Sequence, residues 1–153
     1  MQLTQKETML IADLKNEEQL CADKYAKHAS CACDPQLKNL FSQISQVERG
    51  HLTSLEELEK GSVSSPSSSG GSSSLSQMTF NPYYSGECTE KSADMYLCSD
   101  VLMTEKHASD LYNTCVFEFK DQGARDLLNH IQKEEQEHGK LIYDYMQTNN
   151  MYS

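Results

Sequence analysis

Residues 37–58, LKNLFSQISQVERGHLTSLEEL, decide the fold. Leu37, Phe41, Ile44, Glu48, His51, Leu55 and Leu58 advance by alternating steps of four and three, which places all seven on the inward seam of one bundle helix. Two polar residues, Glu48 and His51, interrupt an otherwise apolar stripe. Residues 124–145, ARDLLNHIQKEEQEHGKLIYDY, repeat the stepping with Ala124, Leu128, Ile131, Glu135, His138, Ile142 and Tyr145. The spacing predicts two long helices of one pattern, each with a Glu and a His about one turn apart on its buried face.

Start and stop signals extend this reading in both directions. Asp34 before Pro35 is an acid at the N-cap followed by proline at the first helical position, and Gly61 supplies a C-terminal cap. Thr4 and Glu7 stand in capping-box spacing and open an earlier helix that carries Leu14, Cys21 and Tyr25 to about residue 31. Residues 61–76, GSVSSPSSSGGSSSLS, are almost wholly Ser, Gly and Pro, a composition that buries no apolar area and predicts a flexible linker. The segment around Phe80, Pro82, Tyr83 and Tyr84 reads as an irregular flap. The expected architecture is all-α: an antiparallel four-helix bundle forming a single domain over 1–153. Two helical hairpins, 3–60 and 89–148, are joined by a long crossover of linker and flap, 61–88.

A fixed offset relates the halves. Glu18 and Glu105, Tyr25 and Tyr112, Asp34 and Asp121, Glu48 and Glu135, and His51 and His138 are each separated by 87 residues (105 − 18, 138 − 51). Identical polar residues at equivalent seam positions predict two hairpins about a pseudo-twofold axis, with one chemical site built from both.

Each Glu-x-x-His pair aims both side chains at one centre, and an inward Glu from each of the other two helices completes a set used for paired iron or manganese. The expected metal ligands are therefore Glu18, Glu48, His51, Glu105, Glu135 and His138. Four carboxylates and two neutral imidazoles balance two divalent ions, so the loaded set tolerates burial. Without metal, like-charge repulsion and desolvation cost several kcal/mol per ion or force protonation. Nitrogen plus hard oxygen donors favour iron or manganese over copper(I), and zinc is an adventitious occupant.

Other polar residues carry weaker signals. Tyr25 and Tyr112 lie two turns beyond Glu18 and Glu105, where a phenol either hydrogen-bonds a ligating carboxylate or simply fills the core. His28 has Cys115 as its equivalent, so symmetry does not support it as a ligand. His107 and His130 adjoin inward residues and are expected to point elsewhere. Of the six cysteines, Cys31 and Cys33 fall at the first hairpin turn as a redox pair, a cross-linking handle or unpaired thiols, and no CxxC pair marks a zinc or rubredoxin-type knuckle.

Bulk properties narrow the partners. A formal charge of −10 with no basic cluster argues against nucleic acid. No apolar run approaches the ~20 residues that span a bilayer, and Met1 to Ala12 lacks a signal-peptide core, so an intracellular origin is expected.

LTQKETMLIADLKNEEQLCADKYAKHA, residues 3–29, followed by DPQLKNLFSQISQVERGHLTSLEEL, residues 34–58, resembles the coat F group of spore-coat proteins in the ferritin-like superfamily. The resemblance covers residues 3–60 and, less specifically but in register, 92–148. It implies a spore-coat location, made in the cytoplasm, with coat proteins or self-association as partners. The ligand pattern also resembles the di-metal sites of rubrerythrins and bacterioferritins. That likeness implies Glu48 and Glu135 as bridging carboxylates, Glu18 and Glu105 as terminal ligands, one imidazole for each metal, and Tyr25 and Tyr112 as tyrosines supporting the cofactor. The chain departs from rubrerythrins in lacking a four-cysteine iron domain, which implies a separate electron donor for reductive chemistry. The expected function is a coat-associated protein with a di-iron or di-manganese centre that consumes peroxide or oxygen. The alternatives are a rubrerythrin-like peroxidase or ferroxidase without a coat role, and a purely structural coat component.

Overall fold

A computed structural model describes residues 1–63 and 75–152. It contains four long helices and, among the described residues, no strand: α1 (Gln5–Cys31), α2 (Pro35–Glu59), α3 (Thr89–Val116) and α4 (Gln122–Thr148). The expected caps form. Thr4 Oγ1 accepts from the Glu7 amide at 3.2 Å while Glu7 Oε2 accepts from the Thr4 amide at 2.7 Å, so α1 starts on a reciprocal capping box. Asp34 and Asp121 cap α2 and α4 by accepting from the amides of Gln36 and Ala124, each at 2.8 Å. Gly61 ends α2 with φ +84°, and a Cβ there would stand 2.7 Å from the Met1 carbonyl oxygen, so both conformation and space require glycine.

The four helices pack as two hairpins in a four-helix bundle. Tyr25 of α1 bonds Glu105 of α3, and Glu18 of α1 bonds Tyr112 of α3. Rising numbers on one helix meet falling numbers on the other, so α1 and α3 are antiparallel. His51 with Glu135, and Glu48 with His138, establish the same for α2 and α4. Every side of the bundle thus joins antiparallel neighbours, and α2 and α3 run in the same direction. The chain between them must return the length of the bundle.

Residues 75–88, the described end of that connection, close on the bundle. Leu75 is buried, Met78, Phe80 and Tyr84 pack on the core, and the Phe80 ring meets Tyr145 edge-on at 5.4 Å. The amides of Tyr83 and Tyr84 donate to Asn149 Oδ1. Of the flexible linker expected over 61–76, residues 64–74 lie outside the described residues.

The apolar core is divided into two clusters. One contains Tyr25, Leu37, Leu40, Phe41, Ile44, Cys98, Val101, Ile142 and Tyr145; the other contains Tyr112, Ala124, Leu127, Leu128, Ile131, Ile11, Leu14, Leu55 and Leu58. Taken in that order, members of the two clusters differ by 87 in number, so the pseudo-twofold axis exchanges them. Full burial of each large aliphatic side chain contributes about 1.5–3 kcal/mol, which stabilises both ends of the bundle while the polar layer lies between them.

The same axis relates two clamps on the hairpin turns. Buried Asp94 of α3 accepts from the amides of Cys33 and Asp34 at 2.8 and 3.0 Å, and from the Tyr84 hydroxyl at 2.6 Å. At the equivalent position on α1, Glu7 accepts from the amide of Lys120 at 3.0 Å. Each turn's backbone donors are thus satisfied by a carboxylate from the other hairpin, which ties the halves together at both ends.

Candidate metal centre

Each helix delivers its part of the polar layer from mid-span: α1 Glu18, α2 Glu48 and His51, α3 Glu105, and α4 Glu135 and His138. All six side chains are buried. His51 Nδ1 lies 3.1 Å from Glu48 Oε2, 3.0 Å from Glu135 Oε1 and 3.6 Å from Glu18 Oε2. His138 Nδ1 lies 3.1 Å from Glu48 Oε1, 3.4 Å from Glu105 Oε1 and 3.8 Å from Glu135 Oε2. The imidazoles are nearly parallel, with centroids 6.1 Å apart and planes inclined by 21°. Glu48 and Glu135 therefore divide their two oxygens between the two imidazoles.

Two overlapping groups result. Glu18, Glu48, His51 and Glu135 form one, and Glu48, Glu105, Glu135 and His138 the other; within each, one donor atom from every residue lies within 4.8 Å of the rest. Glu48 and Glu135 belong to both groups, the arrangement a bridging carboxylate needs. Glu18 Oε2, Glu105 Oε2 and Glu135 Oε2 are buried without a hydrogen-bond partner. Such acceptors are costly unless a ligand satisfies them, so oxygen-rich, nitrogen-containing donors and orphaned oxygens together fit a pair of divalent cations.

The electrostatics show what the layer costs without cations. Burial pushes the Glu48 carboxyl up to about 7, with Glu18 and Glu105 adding to the rise, and Glu105 up to about 8, with Glu135 adding. Glu18 is raised by burial first and Glu135 second. Burial opposes charge on the imidazoles, yet the surrounding carboxylates outweigh it and hold His51 and His138 well above the ordinary histidine range. Without cations, the layer therefore favours protonated carboxyls and charged imidazoles.

The two tyrosines join the layer reciprocally. Tyr25 donates to Glu105 Oε1 at 2.6 Å and Tyr112 to Glu18 Oε1 at 2.5 Å, each reaching the other hairpin's carboxylate rather than the one on its own helix. One oxygen of Glu105 and one of Glu18 are thereby held by a phenol, leaving the other of each unpartnered.

Sequence reasoning missed Glu134. It is buried, its Oε1 lies 3.5 Å from the outward Nε2 of His51, and the partly exposed His130 approaches the same oxygen at 2.6 Å. The equivalent residue on α2 is Val47, so the repeat concealed it. Its one signal was the four-residue spacing from His130. At that distance the carboxylate faces the imidazole without a hydrogen bond to Nε2, and its charge favours the protonated ring.

The remaining candidates lie elsewhere. His28 Nε2 pairs with Asp100 Oδ2 at 2.7 Å, and exposed His107 meets Glu17 at 3.7 Å. Cys31, Cys33 and Cys88 are exposed free thiols, while Cys21, Cys98 and Cys115 are buried free thiols. No described helix is long and apolar enough to cross a membrane.

Residues 93–153 match the family model of the Coat F domain. The match covers the second hairpin, whereas the stretches that carry the more specific resemblance lie in the first. No curated protein and no solved structure matches the chain significantly.

Proposed function

From the Coat F match over the second hairpin, we propose that this chain is a single ferritin-like domain of the spore coat that binds two iron or manganese ions and disproportionates peroxide. One observation carries the metal reading: two buried donor groups share Glu48 and Glu135 and retain unpartnered carboxylate oxygens. Glu18 and His51 hold one side of the pair, Glu105 and His138 the other, and Glu48 and Glu135 both.

When bound, the metals supply two-electron redox chemistry. The protein's own groups keep the donors in place. Tyr25 and Tyr112 fix the terminal carboxylates, Glu134 stands behind His51, and the two apolar clusters exclude bulk water above and below the layer. Conversion of two H2O2 to two H2O and O2 balances without an external reductant, and so requires no electron donor. Reductive peroxidase chemistry would draw on a separate one.

The test is oxygen evolution from hydrogen peroxide by the full chain loaded with Mn2+ or Fe2+. We expect one O2 for every two peroxides consumed, abolished by chelation. A second reading, a structural coat component stapled by its metals, is favoured by exposed Cys31, Cys33, Cys88, Tyr83 and Tyr96 as cross-linking handles. A fully loaded protein that leaves peroxide untouched would select that reading.

A further inference from the structure

The two faces of the bundle beside the polar layer differ. Between α3 and α4 lies a cleft of about 520 Å³ whose lining includes Leu102, Lys106, Ser109 and Gly139 and which reaches Glu105 and Glu135. A water's share of liquid volume is roughly 30 Å³, so a hydrated ion or small molecule has ample room.

The equivalent positions between α1 and α2 carry bulkier or paired side chains. Gly139 corresponds to Leu52, and Leu102 to Lys15, whose ammonium is tied to Glu59 Oε2 at 2.7 Å. Asp110 and Gln136 correspond to Asp23 and Arg49, which form an ion pair across α1 and α2 at 3.6 Å. Where the repeat supplies a leucine and a charged bridge on one face, it supplies a glycine and an uncharged Gln136 on the other.

Gly139 lies within α4, where glycine costs about 0.5–1 kcal/mol relative to alanine. Packing does not demand it, because an added Cβ would meet only Leu102 Cδ1, at an ordinary 3.8 Å. What it preserves is open space. Glu105 and Glu135 belong to its lining, and each has one oxygen, Oε2, that is buried without a partner.

We propose that the cleft between α3 and α4 is the entrance to the carboxylate layer, kept open by Gly139, and that small inorganic ions and molecules reach Glu105 and Glu135 through it. This rests on the metal-binding reading above. It adds that loading is one-sided although the ligand set is nearly symmetric, with the metal site of Glu105 and His138 nearer the entrance.

The experiment follows Co2+ uptake by the full chain in stopped-flow absorbance, with bound Co2+ counted at equilibrium. Gly139→Leu, which copies position 52, is expected to bind as much Co2+ as the wild type but about 10-fold or more slowly, because access then waits on opening of the bundle. Leu102→Trp, which fills the cleft from the opposite wall, should do the same and carries the test if Gly139→Leu does not fold. Leu52→Gly, which removes side-chain volume from the other face, should not slow uptake. Wild-type uptake rates in both cleft-filling variants, with full final occupancy, would overturn the entrance while leaving the site intact. A wild-type chain that takes up no Co2+ would overturn the metal reading and the entrance with it.

Discussion

Replacing Glu48 with alanine is expected to reduce metal in the purified protein from about two ions per chain to well under one, whereas Glu56→Ala leaves it unchanged. Glu48 is the steepest point of the site because it serves both halves: Oε2 faces His51 and Oε1 faces His138. Its removal takes a donor from each group and one of four negative charges opposite two divalent ions. Glu56 is an exposed residue on the same helix, so it reports any general effect of losing a carboxylate. Tyr25→Phe and Glu134→Ala remove supporting groups rather than ligands, and should weaken binding by about 10–100-fold without abolishing it. Elemental analysis of chelator-free preparations checks the series, and equal metal content in Glu48→Ala and Glu56→Ala would remove the basis of the assignment.

With both sites filled at ligand concentrations near a thousand times Kd, stripping the metal should lower the melting temperature by roughly 15–30 °C, and the loss should grow with pH. In the metal-free fold, Glu48 and Glu105 titrate near 7 and 8, against an ordinary 4.5. Between those values the folded state binds more protons than the unfolded state, so stability falls as pH rises from about 4.5 to 8. His51 and His138, raised above 6.5, contribute stability that is complete below 6.5 and is lost as pH rises through their folded values. Both sets act in the same direction. Metal binding works oppositely, because carboxylates and imidazoles must release protons to coordinate, and affinity therefore rises with pH. The gap between loaded and stripped protein in calorimetry should widen from pH 5.5 to 8. A gap that is constant or narrows would mean that the stabilising ions do not displace protons from this layer.

Much of this was legible from residue spacing. Alternating steps of four and three placed Glu48, His51, Glu135 and His138 on buried seams, because side-chain direction along a helix follows from its period alone. Thr4, Asp34 and Gly61 marked boundaries through capping chemistry that is local. Spacing along one helix says nothing about its neighbours. The phenols of Tyr25 and Tyr112 were placed near the carboxylates, but their exchange across hairpins depends on α1 lying antiparallel to α3, which only packing determines. The clamps escaped notice because their residue types differ, Glu7 on one side and Asp94 on the other, and a comparison seeking identical residues passes over them. Glu134 and Gly139 were hidden for a related reason: they break the repeat, opposite Val47 and Leu52, and only the packing shows what each break sits against.

The central claim is that Glu48 and Glu135 hold a pair of metal ions between them, and anomalous diffraction from crystals of metal-replete protein, collected at the iron and manganese edges, tests it most directly. The account predicts two peaks per chain, one beside His51 Nδ1 and Glu18, the other beside His138 Nδ1 and Glu105, with Glu48 and Glu135 between them. Peaks confined to the His130 and Glu134 surface, or no peak in the layer of crystals grown with both metals present, would contradict it.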